Sequence, residues 1–278
     1  MSTVSEFNEY GKFLNEKLML RFSPIAFKML WEGDALPEGL PRPVDEEGKG
    51  KRFAMCQAFG YVRRNRRGMI MLEDDHWCVW PLACLKMREL DEEDYETMGT
   101  KLFIKDREKS IDFFRNKYPW LETGGKKPIG FAIAPLESCT FEPDIVVTYC
   151  RVSQLMALIK AAKRYTAELW PSQFDSIVSC AYCTVPVLNG QKFCVTLPDP
   201  GEYERALADE DEIIFSARAE ELPALINAIK ELEGIKYSYP DLKMYMELEF
   251  PRAQFYDDMF RKWGLKTGEV WAPGSQAI

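Results

Sequence analysis

The sequence predicts an α+β fold: a mixed sheet with flanking helices, with an internal pair of β–α units in its second half. Three observations predict it. Apolar residues recur at helical spacing in some segments and cluster in short β-branched runs in others. With 46% apolar and 29% charged residues, the 278-residue chain has an ordinary globular composition, enough for one large or two small domains. A strand–turn–helix pattern at 144–163 also returns sixty-seven positions later, with eight identities in twenty positions.

Along the chain, Phe7, Tyr10, Phe13, Leu14 and Leu18 predict an amphipathic helix over 5–22, with Ser5 as its cap and Ser23-Pro24 as its stop. Ile25 to Trp31 reads as a strand, and the Gly-, Pro- and charge-rich stretch 33–52 as a surface loop. Residues 53–67 begin apolar and end with Arg63, Arg64, Arg66 and Arg67, which fits a helix closed by Gly68 with cations at its negative end. Met69 to Leu72 reads as a strand, and 106–117 as a helix. Asp144 to Tyr149 and Asp211 to Phe215 are strands; Ser153 to Arg164 and Leu222 to Leu232 are helices. Met244 to Phe250 alternates like an edge strand, and Asp257 to Trp263 is a short helix. The chain divides into an N-terminal part, 1–130, and a repeat-like C-terminal part, 131–278, packed as one compact unit.

In the repeat, Asp144/Asp211, Arg151/Arg218, Leu155/Leu222 and Leu158/Leu225 are among the matches. Apolar periodicity explains the leucines but not the acid and the arginine at the turn. Arg151 and Arg218 fall near helix N-termini, where anions bind; capping a neighbouring carbonyl is the plainer role.

Composition removes whole classes of function. A net charge of −8 argues against general nucleic-acid binding. His76 is the only histidine, so multi-histidine metal sites and paired-histidine catalysis are excluded. No apolar run approaches a membrane span, and the N-terminus lacks a secretory pattern, so a cytoplasmic location is expected. No P-loop, dinucleotide fingerprint, nucleophile elbow or zinc-protease motif is present.

Three constellations remain. Eight cysteines in a chain without an export signal are expected to be thiols. Cys180-Ala181-Tyr182-Cys183 is a C-x-x-C, a spacing that lets two sulfurs reach one metal or cluster. A site of four ligands would recruit distant residues such as Cys56, Cys78 and Cys194; a redox dithiol and plain core packing are the competing readings. Second, Arg63, Arg64 and Arg67 form a local anion site for a carboxylate, a phosphate or a nucleotide-like end, or else a solvated helix end. Third, Glu73-Asp74-Asp75-His76 suggests proton transfer or metal binding beside Trp77 and Trp80, although a structural histidine with packed tryptophans fits equally.

Several of these segments resemble the uncharacterised ArCR family, domain of unknown function 169. Ser23-Pro24-Ile25-Ala26-Phe27 is similar to its early strand, and Cys56-Gln57-Ala58 with Arg63, Arg64 and Gly68 to its cysteine–arginine–glycine segment. Cys78 matches its next cysteine. Pro143-Asp144-Ile145-Val146-Val147 with Gln154-Leu155-Met156 resembles its later strand and helix, and Cys180-Ala181 and Cys194 its late cysteines. The likeness covers about residues 15–235. Val79-Trp80-Pro81 and Val195-Thr196-Leu197 depart from the family's pattern. The resemblance carries no activity with it, but the family looks common in anaerobes. It ranks Cys56, Cys78, Cys180 and Cys194 above Cys84, Cys139 and Cys150, with Cys183 retained for its spacing.

The resulting expectation is a redox-associated protein holding an iron–sulfur cluster of the 4Fe–4S kind, or zinc as a lesser choice, on Cys56, Cys78, Cys180 and Cys194, with Cys183 as substitute. It would transfer electrons with a redox partner protein or act on a small anionic molecule. The alternative is a metal-free module binding an acyl- or nucleotide-like anion.

Overall fold

The structure is a computed structural model that describes residues 2–45, 47–100, 103–170, 174–175, 177–235, 239 and 254–265. The first helix, α1 (Val4–Leu18), starts from Thr3 rather than Ser5: the Thr3 hydroxyl accepts the Glu6 amide while Glu6 accepts the Thr3 amide, a capping box. Next come β1 (Ile25–Trp31), α2 (Met55–Asn65), β2 (Met69–Leu72), α3 (Val79–Cys84), α4 (Glu92–Thr100), α5 (Arg107–Asn116) and β3 (Pro128–Pro135). Helix α2 stops before Gly68 because Arg66 turns left-handed at φ 54° and its amide closes on the Val62 carbonyl. The second half holds β4 (Ile145–Arg151), α6 (Val152–Thr166), α7 (Ser179–Leu188), β5 (Phe193–Thr196), α8 (Pro200–Arg205), β6 (Glu212–Arg218), α9 (Leu222–Gly234) and α10 (Gln254–Lys262). The edge strand expected at 244–250 lies outside the described residues.

The six strands form one sheet in the order β2-β3-β1-β4-β6-β5. Every pairing is antiparallel, so the sheet is α+β as expected but antiparallel rather than mixed. The division at residue 130 falls inside β3, and strands from both halves share the sheet.

Alternation along each strand feeds two cores. Ala26, Leu30, Val146, Phe215 and Ala217 face α1, α6 and α9. Ile25, Phe27, Met29, Val147, Tyr149 and Ile214 face α2, α3, α5 and α7. The molecule is therefore three layers, with helices on both faces of the sheet.

The repeat explains the sheet's direction. Thr148 pairs with Phe215, its own mate at the sixty-seven-residue offset. Moving outward, Val147 pairs with Ser216 and Tyr149 with Ile214. A local two-fold axis through the Thr148–Phe215 pair thus exchanges the two β–α units, and α6 packs on α9. Units related by a dyad perpendicular to the sheet run antiparallel; units related by translation would have run parallel.

Candidate functional site: a thiol group beside a buried acid

The cysteine group lies on the α2/α3/α7 side of the sheet. Cys56 and Cys180 are the second residues of α2 and α7. Cys78 is the N-cap of α3, and Cys84 its last residue. Helix α3 packs on α7, and α2 on α8. Helix N-termini stabilise thiolates.

Electrostatics shows who neighbours whom. Burial, chiefly, raises the Cys180 thiol well above its ordinary pKa, and the charges of Cys56, Asp199, Cys84 and Cys78 push it the same way. Cys56 is raised by burial and then by Glu202, Asp199 and Cys78; Cys84 by burial and then by Cys78. Cys56, Cys78 and Cys84 thus all lie within electrostatic range of Cys180. The Gln57 amide is placed to hydrogen-bond the Cys56 sulfur, and the Trp80 amide the Cys78 sulfur. All eight cysteines are free thiols.

Of the other expected ligands, Cys183 stands one turn along α7 and Cys194 lies on the neighbouring β5. Cys183 donates to the Cys180 carbonyl at 3.3 Å, and Cys194, on β5, donates to the Tyr182 carbonyl at 3.1 Å. The Cys194 thiol is pushed up to about 11 by burial, and its charge acts on Cys183. The structure thus brings Cys56, Cys78 and Cys180 together, adds Cys84, and sets Cys183 and Cys194 beside them as a pair. Cys139 and Cys150 belong to the opposite core. Among the described residues, no three His, Cys, Asp or Glu side chains are grouped as ligands of a single metal ion.

A fully buried hydroxyl points to the same place. Tyr118 is raised by burial and then by the charges of Cys84, Cys180, Tyr182 and Cys78. Its hydroxyl has no hydrogen-bond partner among the described residues. Leaving such a group unpaired costs about 1–3 kcal/mol.

Behind the thiols stands a network that sequence reasoning missed. Asp199 caps α8 and accepts the amides of Glu202 at 2.9 Å and Ser179 at 2.8 Å. The Glu202 carboxyl is wholly buried and accepts the Tyr149 hydroxyl at 2.9 Å and the Ser179 hydroxyl at 3.4 Å. Burial, with the nearby Asp199 charge, lifts its pKa to about 8. Nothing in the Pro200-Gly201-Glu202 stretch separates this acid from an exposed turn residue; only the fold does.

The arginines divide. Arg63 is buried, donates from one nitrogen, Nη1, to both Glu212 carboxylate oxygens at 2.8 and 2.9 Å, and lies 4.0 Å from the centre of the Tyr149 ring. That is a correction: its charge is spent inside the protein and is not offered to a ligand. Arg64 donates to the Leu207 carbonyl and covers the Phe22 ring. Arg67 is exposed. Arg151 donates to the Tyr239 hydroxyl at 3.2 Å, and Arg218 pairs with Glu220 at 3.0 Å. The repeated arginines therefore serve two different partners.

The acidic run does not join the histidine in a site. Asp75 is held by Arg42 at 3.0 and 3.1 Å and accepts the Leu72 amide. His76 packs edge-on to Phe131 at 5.5 Å, and burial drives its pKa down to about 4. Trp80 packs on Phe114 and Tyr118, while Trp77 is half exposed.

The model of the uncharacterised ArCR family, domain of unknown function 169, matches residues 13–228, most of the chain. The chain belongs to that family. No curated protein and no solved structure matches it. No helix among the described residues is long and apolar enough to cross a membrane.

Proposed function

We propose that this ArCR-family chain binds an iron–sulfur cluster of the 4Fe–4S kind through Cys56, Cys78, Cys84 and Cys180, and works in electron transfer with a redox partner protein or on a small anionic molecule. The observation that carries the reading is the gathering of four thiols from three separate segments around Cys180, with the unpartnered Tyr118 hydroxyl among them. Scattered ligands brought together by the fold are a common mode of cluster binding.

The residues fit such a group. The ligands supply soft thiolates, and the amides of Gln57 and Trp80 with the Tyr118 hydroxyl supply hydrogen bonds to sulfur, which tune the potential of such centres. A bound cluster would supply one-electron capacity or an electrophilic iron. Burial makes the free thiols reluctant to ionise, so metal loading must displace protons. Zinc on the same sulfurs is the lesser choice, and Cys194 is the alternative fourth ligand.

Iron content of single serine variants tests the reading. Cys56→Ser, Cys78→Ser and Cys180→Ser should each lose iron, whereas Cys139→Ser and Cys150→Ser should keep it. Comparing Cys84→Ser with Cys194→Ser identifies the fourth ligand. Unchanged iron in both Cys56→Ser and Cys180→Ser would sink the reading.

A further inference from the structure

Beside the thiol group, α2 and α8 leave an open groove of about 270 Å³. Phe53 and Tyr61 form its apolar wall, their ring centroids 6.1 Å apart, and Leu207 closes one side. Arg64 and Arg205 both line it, as do the amides of Gln57 and Asn65, and no carboxylate does. In a protein of net charge −8 that is an unusual lining. A larger cavity near β4 carries Glu122, Glu142, Asp144 and Glu220 alongside Lys28 and Arg218.

Arg205 has capacity to spare: among the described residues it makes a long contact of 3.9 Å with Glu204 and lies over the Trp77 ring at 5.1 Å. Arg64 is the more committed of the two, donating to the Leu207 carbonyl and standing 3.8 Å from the Asp209 carboxylate. Trp77 in turn donates its indole N–H to Gln57 at 2.8 Å, which fixes the amide at the groove's floor.

Arg205 also lies near the cysteines: a Cβ on Gly201 would meet its Nη1 at 3.0 Å and the Cys56 sulfur at 3.7 Å. Cys78 is the partly exposed member of the four-thiol group, whereas Cys56, Cys84 and Cys180 are buried.

From this lining we infer that the groove binds a small monocarboxylate with a short or single-ring apolar body, its carboxylate held by Arg205 beside Arg64. Planar guanidinium forks match carboxylates, and the volume sits below the usual range for larger ligands. The apolar wall disfavours a fully hydrated inorganic anion. Binding by the groove stands apart from the cluster; only its identification as the substrate site rests on the function proposed above.

Calorimetric titration of the metal-free full chain with benzoate, benzamide and inorganic phosphate tests this. Saturable benzoate binding is expected, with benzamide and phosphate each at least tenfold weaker. Arg205→Gln, a change at a half-exposed side chain, should weaken benzoate at least tenfold, with Arg205→Lys in between. No benzoate binding, equal binding of benzamide, tighter phosphate binding, or an unchanged Arg205→Gln would each overturn the inference. Because the chain is metal-free, none of these results depends on whether a cluster forms.

Discussion

Replacing Arg63 with methionine should destabilise the protein by about 4 kcal/mol. The Arg63 and Glu212 side chains are 0% and 2% exposed, and they meet through two hydrogen bonds of 2.8 and 2.9 Å. Removing one partner of a buried pair costs about 3–5 kcal/mol, because the other charge stays behind uncompensated. Loss of the cation over Tyr149 adds about 1–2 kcal/mol. Glu212 keeps one partner, the Asp209 amide at 2.9 Å, which holds the sum near the middle of the range. Urea unfolding followed by tryptophan fluorescence measures the loss as a lower midpoint at an unchanged slope. The double variant Arg63→Met, Glu212→Met should recover most of it, since an apolar pair of similar volume leaves no buried charge. A loss below about 1 kcal/mol, the range of surface pairs, would refute the reasoning, as would a double variant as unstable as the two singles added together.

Glu202 makes stability fall with rising pH. Its folded pKa of about 8 exceeds the ordinary carboxylate value of 4.5, so between these pH values the folded state holds a proton that the unfolded state has lost. Its contribution is complete below about pH 4.5 and fades as pH rises through about 8, with a slope of at most about 1.4 kcal/mol per pH unit. Glu202→Gln should flatten the pH dependence of urea midpoints between pH 5 and 8; parallel curves for both proteins would contradict it. Gly60→Ala would place a Cβ 2.6 Å from the Ala206 carbonyl oxygen. It should cost about 1–3 kcal/mol by prising α8 from α2, and a melting temperature equal to the parent's would show that the contact yields. Tyr118→Phe should stabilise the metal-free chain by about 1–3 kcal/mol, since it removes a buried hydroxyl that has no partner among the described residues. The same change should speed iron release to a chelator if that hydroxyl donates to a bound cluster, and equal release rates would remove Tyr118 from the site.

The parts of the fold that the residues announce are those with a clean period. β4 and β6 are β-branched runs, and α6 and α9 carry one apolar face each. β3 escaped notice because Pro128-Ile129-Gly130-Phe131-Ala132-Ile133-Ala134-Pro135 has proline at both ends and small residues between. It is nonetheless an interior strand, and Gly130 fits because a Cβ there would lie 2.3 Å from the Met71 carbonyl oxygen. α7 escaped for the opposite reason: eight of its ten residues are buried, so no polar face marks its period, and Pro186 sits inside it. Arg63 read as part of a surface run, yet it follows Met55 and Phe59 at four-residue steps on the buried stripe of α2. The cysteine spacing pointed at Cys180 and Cys183 and the family resemblance at Cys56, but Cys84 joins Cys180 because α3 packs against α7, a contact no local pattern encodes. The dyad, by contrast, was written in the sequence: the offset of the repeat is also the register of its strands.

The most direct test of the central claim is the iron and acid-labile sulfide content, with the visible spectrum, of the full chain purified without oxygen. A brown protein carrying roughly four irons and four sulfides per chain, reduced to near zero by Cys180→Ser, is the predicted result. A colourless protein with neither iron nor sulfide after anaerobic reconstitution would contradict it, and would leave the four thiols as core residues around a hydroxyl with no partner.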